Sequence, residues 1–273
     1  MLTLPTLAAA IRAALLASDP RAKAMATRRV AREWRAGRLA WTFDVAMPDT
    51  PGRPLAPELL PPNRMPKRGK GGSDRARIAL WHSLAHIEFV AIDLALDMAG
   101  RFGAVMAQRL GEAAARAFVA DFLRVAADEA MHFALIDRHL ATLGSHYGAL
   151  PAHDGLWDAA RETAHDIAAR LAVVPMVLEA RGLDVTPPMI ARLAAAGDAC
   201  GARILSRILD DEIVHVAVGA RHFGALCAAA GQPIDSAWKS LVTRHFRGAV
   251  KPPFNDSARQ RAGLSRDAYI ALA

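Results

Sequence analysis

Two short runs share one form, and this repetition is the strongest constraint on what the chain can fold into. Both read Asp-Glu-x-x-His within apolar helical surroundings: Asp128, Glu129 and His132 in VAADEAMHF, and Asp211, Glu212 and His215 in RILDDEIVHVAVG. Residues three apart lie on one helix face, so each Glu and His can bind the same ion. Charged side chains are rarely buried unless they are paired or bind a metal. With eight Glu and ten His in the chain, chance gives about 0.3 Glu-x-x-His matches. The pair therefore predicts two metal-binding helices.

A two-metal carboxylate site in a four-helix bundle needs one further Glu from each of two other helices. Glu179 is the only acid between Asp166 and Asp184, within VVPMVLEARG. Pro175 stands four residues earlier and should disturb the helix locally, as often happens where backbone lines a site. Glu179 is the predicted ligand of this helix.

The first long helix offers two acids, Glu88 and Asp93, in WHSLAHIEFVAIDLALD. At 100° per residue, Glu88 falls among apolar positions such as Trp81 and Ile92. Asp93 falls on a roughly opposite stripe that also carries His82, His86 and Asp97. We therefore expect Glu88 to point towards the core and Asp93 to point away from it. His82 and His86 are interpreted as a structural pair hydrogen-bonded to the preceding Pro-rich segment.

The predicted metal ligands are Glu88, Glu129, His132, Glu179, Glu212 and His215. Four carboxylates balance the charge of two Fe(II) ions, and two imidazoles complete a donor set suited to iron or manganese. In a two-metal site of a four-helix bundle, we expect Glu129 and Glu212 to bridge the two metals, and Glu88 and Glu179 to bind one metal each at the two ends of the pair. Asp128 and Asp211 are expected to accept the free ring N–H of a histidine on the neighbouring helix. Arg181 is expected to pair with an acid near the site or to bind an anionic substrate.

The rest of the chain reads as all-α, because Ala dominates and no strand-like alternation is sustained. Residues 4–40 are predicted to form one or two amphipathic helices. The helices predicted beyond them cover residues 76–101, 112–143, 155–182, 187–230, 234–247 and 257–272. The sequence LDVTPP is expected to break the chain before residue 187, because proline disrupts helices.

Residues 47–72 carry seven prolines and end in KRGKGG, which predicts an extended strap lying on the body of the protein. Residues 1–75 hold 14 Lys+Arg against 6 Asp+Glu, whereas residues 76–273 hold 20 against 21. The predicted organisation is therefore a basic segment 1–75 packed on a helical body 76–273. The excess charge predicts either a solvated face or a surface for polyanions such as RNA.

No uncharged apolar run reaches the roughly 20 residues of a membrane span. Cys200 and Cys227 form no CxxC pair, which excludes a zinc ribbon and a four-cysteine iron site. A reducing cytoplasm is the predicted compartment. The N-terminal residues are interpreted as an amphipathic helix of the mature protein, with a transit peptide as the alternative.

At these motifs the chain resembles the ferritin-like superfamily, and more closely an uncharacterised bacterial family of ferritin-like proteins. The resemblance also covers HSLAHIEFVAIDLALD, GLWDAA, LEARGLDVTP and DDEIVHVAVG. It implies a four-helix bundle with an N-terminal helical extension, a Pro-rich strap and C-terminal helices, and a di-iron cofactor. The chain is more distantly similar to MiaE-type tRNA hydroxylases, which implies an RNA substrate by analogy alone.

The leading functional hypothesis is a di-iron, or Mn/Fe, oxidase or monooxygenase that uses O₂ on an organic substrate, including a modified RNA base. An external electron donor would be needed, because the sequence shows no flavin, nicotinamide or Fe–S motif. One alternative is a ferroxidase, peroxide-scavenging or iron-handling protein. Another is a non-enzymatic, metal-stapled scaffold that binds RNA or protein.

Overall fold

The computed structural model describes residues 4–66 and 73–273, and this part of the chain is helical without any β-strand. Two isolated bridges, Thr6 with Ala40 and Leu59 with Ala152, are its only β-type pairings. The all-α prediction is therefore confirmed. By packing, the chain forms two compact units, Met1–Trp157 and Asp158–Ala273.

Among its described residues, the first unit is built mainly from four α-helices: α1 (Leu7–Leu16), α2 (Pro20–Arg35), α3 (Asp74–Leu110) and α4 (Glu112–Thr142). Side-chain caps begin the first three, with Thr6, Asp19 and Ser73 accepting from backbone N–H groups, which satisfies otherwise unpaired donors. A single residue, Gly111, joins α3 to α4 at a φ of 85°, a conformation that suits glycine. The two long helices consequently form a hairpin with an extensive interface.

Helix α3 extends nine residues beyond the predicted end at residue 101. Two glycines, Gly100 and Gly103, lie on either side of that predicted end. A Cβ on Gly103 would stand 2.3 Å from the ring of Phe43, and one on Gly100 would stand 2.5 Å from Sδ of Met47. These glycines therefore allow the segment after α2 to pack closely on the helix, and that packing compensates for their low helix propensity.

The described part of the strap is irregular apart from one 3-10 turn, Pro62–Arg64, and it is tied to the rest of the first unit by backbone hydrogen bonds. Leu60 donates to the carbonyl of Ala152 at 2.8 Å, and Ala152 donates to that of Glu58 at 2.9 Å. Leu55 is nevertheless fully exposed, so not every leucine of the strap anchors it. Residues 67–72, which hold the basic end KRGKGG, lie outside the described residues. By packing, the chain divides after Trp157 rather than near residue 75, because α1 packs on α3 and α2 packs on α4.

The second unit contains two further long helical stretches. Helix α5 (Gly155–Glu162) spans the division between the units, and α6 (Ile167–Val173) continues directly into the π-segment (Val174–Glu179) and α7 (Ala180–Ala195). Helix α8 (Ala199–Ala229) packs against both the π-segment and α7. Three short helices follow, α9 (Ile234–His245), α10 (Asp256–Arg261) and α11 (Arg266–Ile270).

The predicted break at LDVTPP is wrong, because α7 runs through Pro187 and Pro188 and the chain turns only at residues 196–198. A proline inside a helix leaves the carbonyl four residues earlier without its usual partner. For Pro187 that carbonyl belongs to Leu183, and Nδ2 of Asn255 donates to it at 3.1 Å. For Pro188 the residue is Asp184, which α10 holds through Arg259. Packing against the C-terminal segment thus stabilises a helix that local propensity disfavours.

Within the described residues, no single helix is both long and apolar enough to cross a membrane. Helices α8 and α9 meet that criterion only when taken together, and the chain bends by 109° between them. Buried core residues explain the apolar character of α8, among them Leu205, Val216 and Phe223.

Candidate metal centre

The first unit brings two carboxylates and an imidazole together between α3 and α4. Nδ1 of His132 lies 3.3 Å from Oε2 of Glu88 and 3.2 Å from Oε2 of Glu129. Each of the three offers a ligand atom, and these atoms all lie within 4.8 Å of one another. All three side chains are buried, with relative exposures of 5%, 1% and 0% for Glu88, Glu129 and His132. This buried cluster can hold a metal ion.

The electrostatics of this cluster favour a bound cation. Burial raises the pKa of Glu88 well above its usual value, and the neighbouring charge of Glu129 raises it further. Oε2 of Glu88 makes no hydrogen bond of acceptable geometry, although it lies close to His132. A buried polar atom without a partner costs free energy, and a cation would satisfy this oxygen while neutralising the two carboxylates. The donor set of carboxylate oxygens and imidazole nitrogen suits iron or manganese.

The second unit repeats the Glu-x-x-His arrangement on α8. Glu212 and His215 are both largely buried, and Nδ1 of His215 lies 3.8 Å from Oε1 of Glu212. Glu179 is the last residue of the π-segment, which packs against α8. Glu179 and His215 belong to no group of three or more converging ligand atoms among the described residues.

The predicted disturbance at Pro175 is present as the π-segment, in which backbone hydrogen bonds join residues five apart instead of the four of an α-helix. A Cβ on Gly219 of α8 would stand 2.4 Å from Cβ and Cγ of Pro175. The glycine therefore lets the proline ring pack directly on α8, and the backbone widens to accommodate it. π-bulges of this kind occur frequently at functional sites, and this one ends at Glu179.

Asp128, Asp211 and Arg181, which the sequence predicted beside the metal ligands, have different hydrogen-bond and ion-pair partners. Nε of Arg207 donates to Asp211 at 2.7 Å, and Nε of Arg124 lies 3.9 Å from Asp128. Both aspartates thus have an arginine one turn earlier on their own helix, an i, i+4 spacing that is visible in the sequence. Nη1 of Arg181 donates to the carbonyls of Lys251 and Pro253.

An aromatic cluster lies on the side of α3 that carries Asp93. The ring of Tyr147 packs against the buried rings of Phe89 and Phe133 at a centroid distance of 5.3 Å in each case. The Phe89 ring also lies 5.1 Å from Nζ of Lys23, which pairs with Asp93. These rings therefore pack around the buried cation of this face.

The predicted partner of the histidine pair on α3 is wrong. His82 accepts from the backbone N–H of Gly148 at 2.9 Å, and His86 bonds Tyr147 and the carbonyl of His153. Both histidines therefore hold the loop after α4 rather than the Pro-rich strap. Burial lowers the pKa of each to about 4, so both rings are neutral at pH 7 and can accept hydrogen bonds.

Asp93 is fully buried, contrary to the expectation that its stripe faces away from the core. It accepts from Nζ of Lys23, which is also fully buried, and pairs with Arg53 of the strap. Because α2 and the strap cover this face of α3, the stripe is a second interior surface. Asp93 therefore forms ion pairs with two cations of the N-terminal segment.

Comparison with known proteins gives a family for this chain. Residues 16–270 match the family described as "Protein of unknown function (DUF455)". An uncharacterized protein of Haemophilus influenzae is 43% identical over 213 residues, which are 78% of this chain and 73% of that protein. No solved structure shows a significant match. Because the matched region includes nearly the whole chain and every residue of the candidate site, the chain belongs to the DUF455 family.

Proposed function

We propose that the chain binds a pair of iron ions, or one manganese and one iron, and works as an oxidoreductase that uses O₂. The observation that carries this proposal is the buried group of Glu88, Glu129 and His132, in which two carboxylates face one imidazole. The second unit supplies the corresponding set, a Glu followed by Glu-x-x-His. On this proposal the fold is a ferritin-like four-helix bundle and the two sets bind one metal pair.

The chemistry of the donors supports this assignment. Four carboxylates and two imidazoles carry four negative charges, which balance two divalent ions, and hard oxygen donors favour iron and manganese over softer metals. A metal pair of this kind, when bound, supplies the reduction of O₂ and the oxidation of an organic molecule. The protein itself binds and orients the ions, and the burial of Glu88, Glu129 and His132 keeps water from their ligand atoms. The reducing electrons would come from an external donor.

Iron handling is the main alternative function for the same site. Reconstitution of the protein with iron distinguishes it from an oxidase. Purified protein is loaded with Fe(II) under anaerobic conditions and then exposed to O₂ with and without a continuing supply of a chemical reductant. An oxidase keeps about two irons per chain, and after its bound Fe(II) has been oxidised once it consumes further O₂ only while reductant is supplied. A ferroxidase or iron store instead takes up further iron as each addition is oxidised. Uptake well beyond two ions per chain would contradict the oxidase.

A row of arginines on α2 supports a second candidate function, a scaffold that binds nucleic acid. The exposed residues Arg21, Arg28, Arg32 and Arg35 lie within about 60° of one another around the helix. Over 14 residues the row extends about 21 Å. Arg28 and Arg35 make no hydrogen bond or ion pair with any described residue. The apolar side of α2 is buried in the first unit, so it is not available for insertion into a lipid surface.

The salt dependence of RNA binding tests this second candidate. Each arginine that contacts a single-stranded backbone contributes about 0.7 to the slope of log K against log salt. Replacing Arg28, Arg32 and Arg35 by Gln should therefore lower the slope by about 2. The control replaces Arg192, Arg203 and Arg261, which are exposed in the second unit, and changes the net charge equally. Equal slopes for both triple variants would show that α2 is not the RNA-binding surface.

A further inference from the structure

A cavity of about 120 Å³ lies within the second unit, beside the π-segment. Its apolar wall consists of buried and half-buried side chains from the π-segment, from α9 and from the segment that follows α9. The main members of this wall are Met176, Val177, Trp238, Phe246 and Val250. Apolar cavities of about 150 Å³ hold a benzene ring, so a single ring is close to the largest body that this space accepts.

All charged residues that line the cavity are cations: Arg181, Lys251 and Arg259. Asp184 neutralises only one of them fully. It accepts from Nε and Nη2 of Arg259 at 2.8 and 2.7 Å, whereas Nη1 of Arg181 lies 3.4 Å away. The lining therefore carries a surplus of positive charge at the end where Arg181 and Lys251 meet.

Arg181 is held in place while part of its guanidinium stays available. Its Nη1 donates to the carbonyls of Lys251 at 2.9 Å and Pro253 at 3.1 Å. No described residue accepts a hydrogen bond from its Nε or Nη2, and the side chain is 35% exposed to solvent. A fixed guanidinium with free N–H groups matches the geometry of a carboxylate. Nζ of Lys251 likewise has no partner among the described residues.

From this combination we propose that the cavity binds a small organic carboxylate with an apolar or aromatic body. The ring would lie against Met176 and Trp238, and the carboxylate would bind Arg181 and Lys251. Neutral molecules of the same shape lack the group that these cations recognise. The proposed binding does not depend on metal. That this carboxylate is the substrate class of the metal centre rests on the proposed function, and its support is that the wall residue Leu178 directly precedes Glu179 in the sequence.

Benzoate is the probe, and benzyl alcohol is its neutral counterpart. Both are titrated into chelator-treated protein, and binding is followed by saturation-transfer NMR and by the fluorescence of the tryptophans, which include Trp238 in the wall. Benzoate should bind saturably at one site per chain, and benzyl alcohol should bind at least about tenfold more weakly, because a charged hydrogen-bonded pair is lost. Using metal-free protein keeps this result separate from the outcome for the metal centre.

Three variants make the test specific. Arg181→Met removes the proposed anion contact, and Ala249→Trp fills the cavity mouth while leaving the Arg181 tethers intact. Each should weaken benzoate binding at least about tenfold, whereas Arg192→Met on the exposed side of α7 should leave it unchanged. Circular dichroism checks that each variant is folded. Equal affinity for benzoate and benzyl alcohol, unchanged binding in Ala249→Trp, or the absence of saturable binding would overturn the proposal.

Discussion

Lys23 and Asp93 form an ion pair that is completely buried, 70 residues apart in sequence. Nζ of Lys23 also donates to the carbonyls of Leu15 and Gly52, so all three of its protons are used. Burial lowers the pKa of Lys23 and raises that of Asp93, because for both groups it outweighs their mutual attraction. Such a pair adds little net stability, but loss of one partner is costly. It ties α2 and the strap to α3.

Asp93→Asn should therefore destabilise the protein without affecting its metal content. The substitution leaves Lys23 buried without a counter-charge and leaves Arg53 with Asp154 as its only acidic partner, and we expect a loss of about 3–5 kcal/mol in the free energy of unfolding. Urea denaturation measures this loss. Asp74→Asn, at an exposed position on the same helix, is the matched control and should change stability by less than about 0.5 kcal/mol. Loss of metal from the Asp93 variant would mean that Asp93, not Glu88, serves the site.

Gly219→Ala and Gly182→Ala should have opposite effects, although both replace a helical glycine. At Gly219 the new Cβ meets Pro175, whereas at Gly182 it meets no atom within 4 Å. We expect Gly219→Ala to cost about 1–3 kcal/mol and to lower metal content, because it displaces the segment that ends at Glu179. Gly182→Ala should stabilise by up to about 1 kcal/mol. Equal melting temperatures for the two variants would contradict the role given to the contact between Gly219 and Pro175.

His82 should make the stability of the first unit depend on pH. Its pKa of about 4 lies below the usual 6.5, so the unfolded chain takes up a proton first as pH falls. The contribution to stability is complete above pH 6.5 and is lost as pH falls towards 4. Between pH 7 and pH 4.5 we expect a loss of about 1–2 kcal/mol from this residue.

His82→Gln isolates this effect, because the Gln side-chain oxygen can accept from Gly148 and does not titrate. The other buried titratable groups, among them His86, Glu88 and Asp93, are the same in both proteins and cancel in the comparison. The urea midpoint should therefore fall more between pH 7 and pH 4.5 in the wild type than in the variant. Parallel curves would show that His82 keeps an ordinary pKa.

The helical character of the chain and the choice of Glu88 over Asp93 follow from short-range pattern. The periodicity of α3 puts Glu88 on a different face from Asp93, and the structure places Glu88 beside Glu129 and His132. The partners of Asp93 could not be predicted in this way, since Lys23 and Arg53 are 70 and 40 residues distant in sequence. Local pattern therefore distinguishes the two faces of α3 but does not show that both are interior.

The prediction that α7 breaks at LDVTPP failed for a related reason. Local propensity ends a helix before two prolines, and only the contacts of Leu183 and Asp184 with the C-terminal segment explain why this helix continues. The widened backbone before Glu179 was predictable as a disturbance at Pro175, but its π-helical form depends on Gly219, 44 residues later. In each case the missing information is a tertiary contact.

Metal content per chain tests the central claim most directly. Protein expressed with iron and manganese available is compared by inductively coupled plasma mass spectrometry with Glu129→Gln/Glu212→Gln, and with Glu112→Gln/Glu162→Gln as a matched control outside the site. The account predicts about two metal ions per chain in the wild type and control, and almost none in the Glu129/Glu212 variant. Little metal in the wild type, or equal metal in all three proteins, would contradict it.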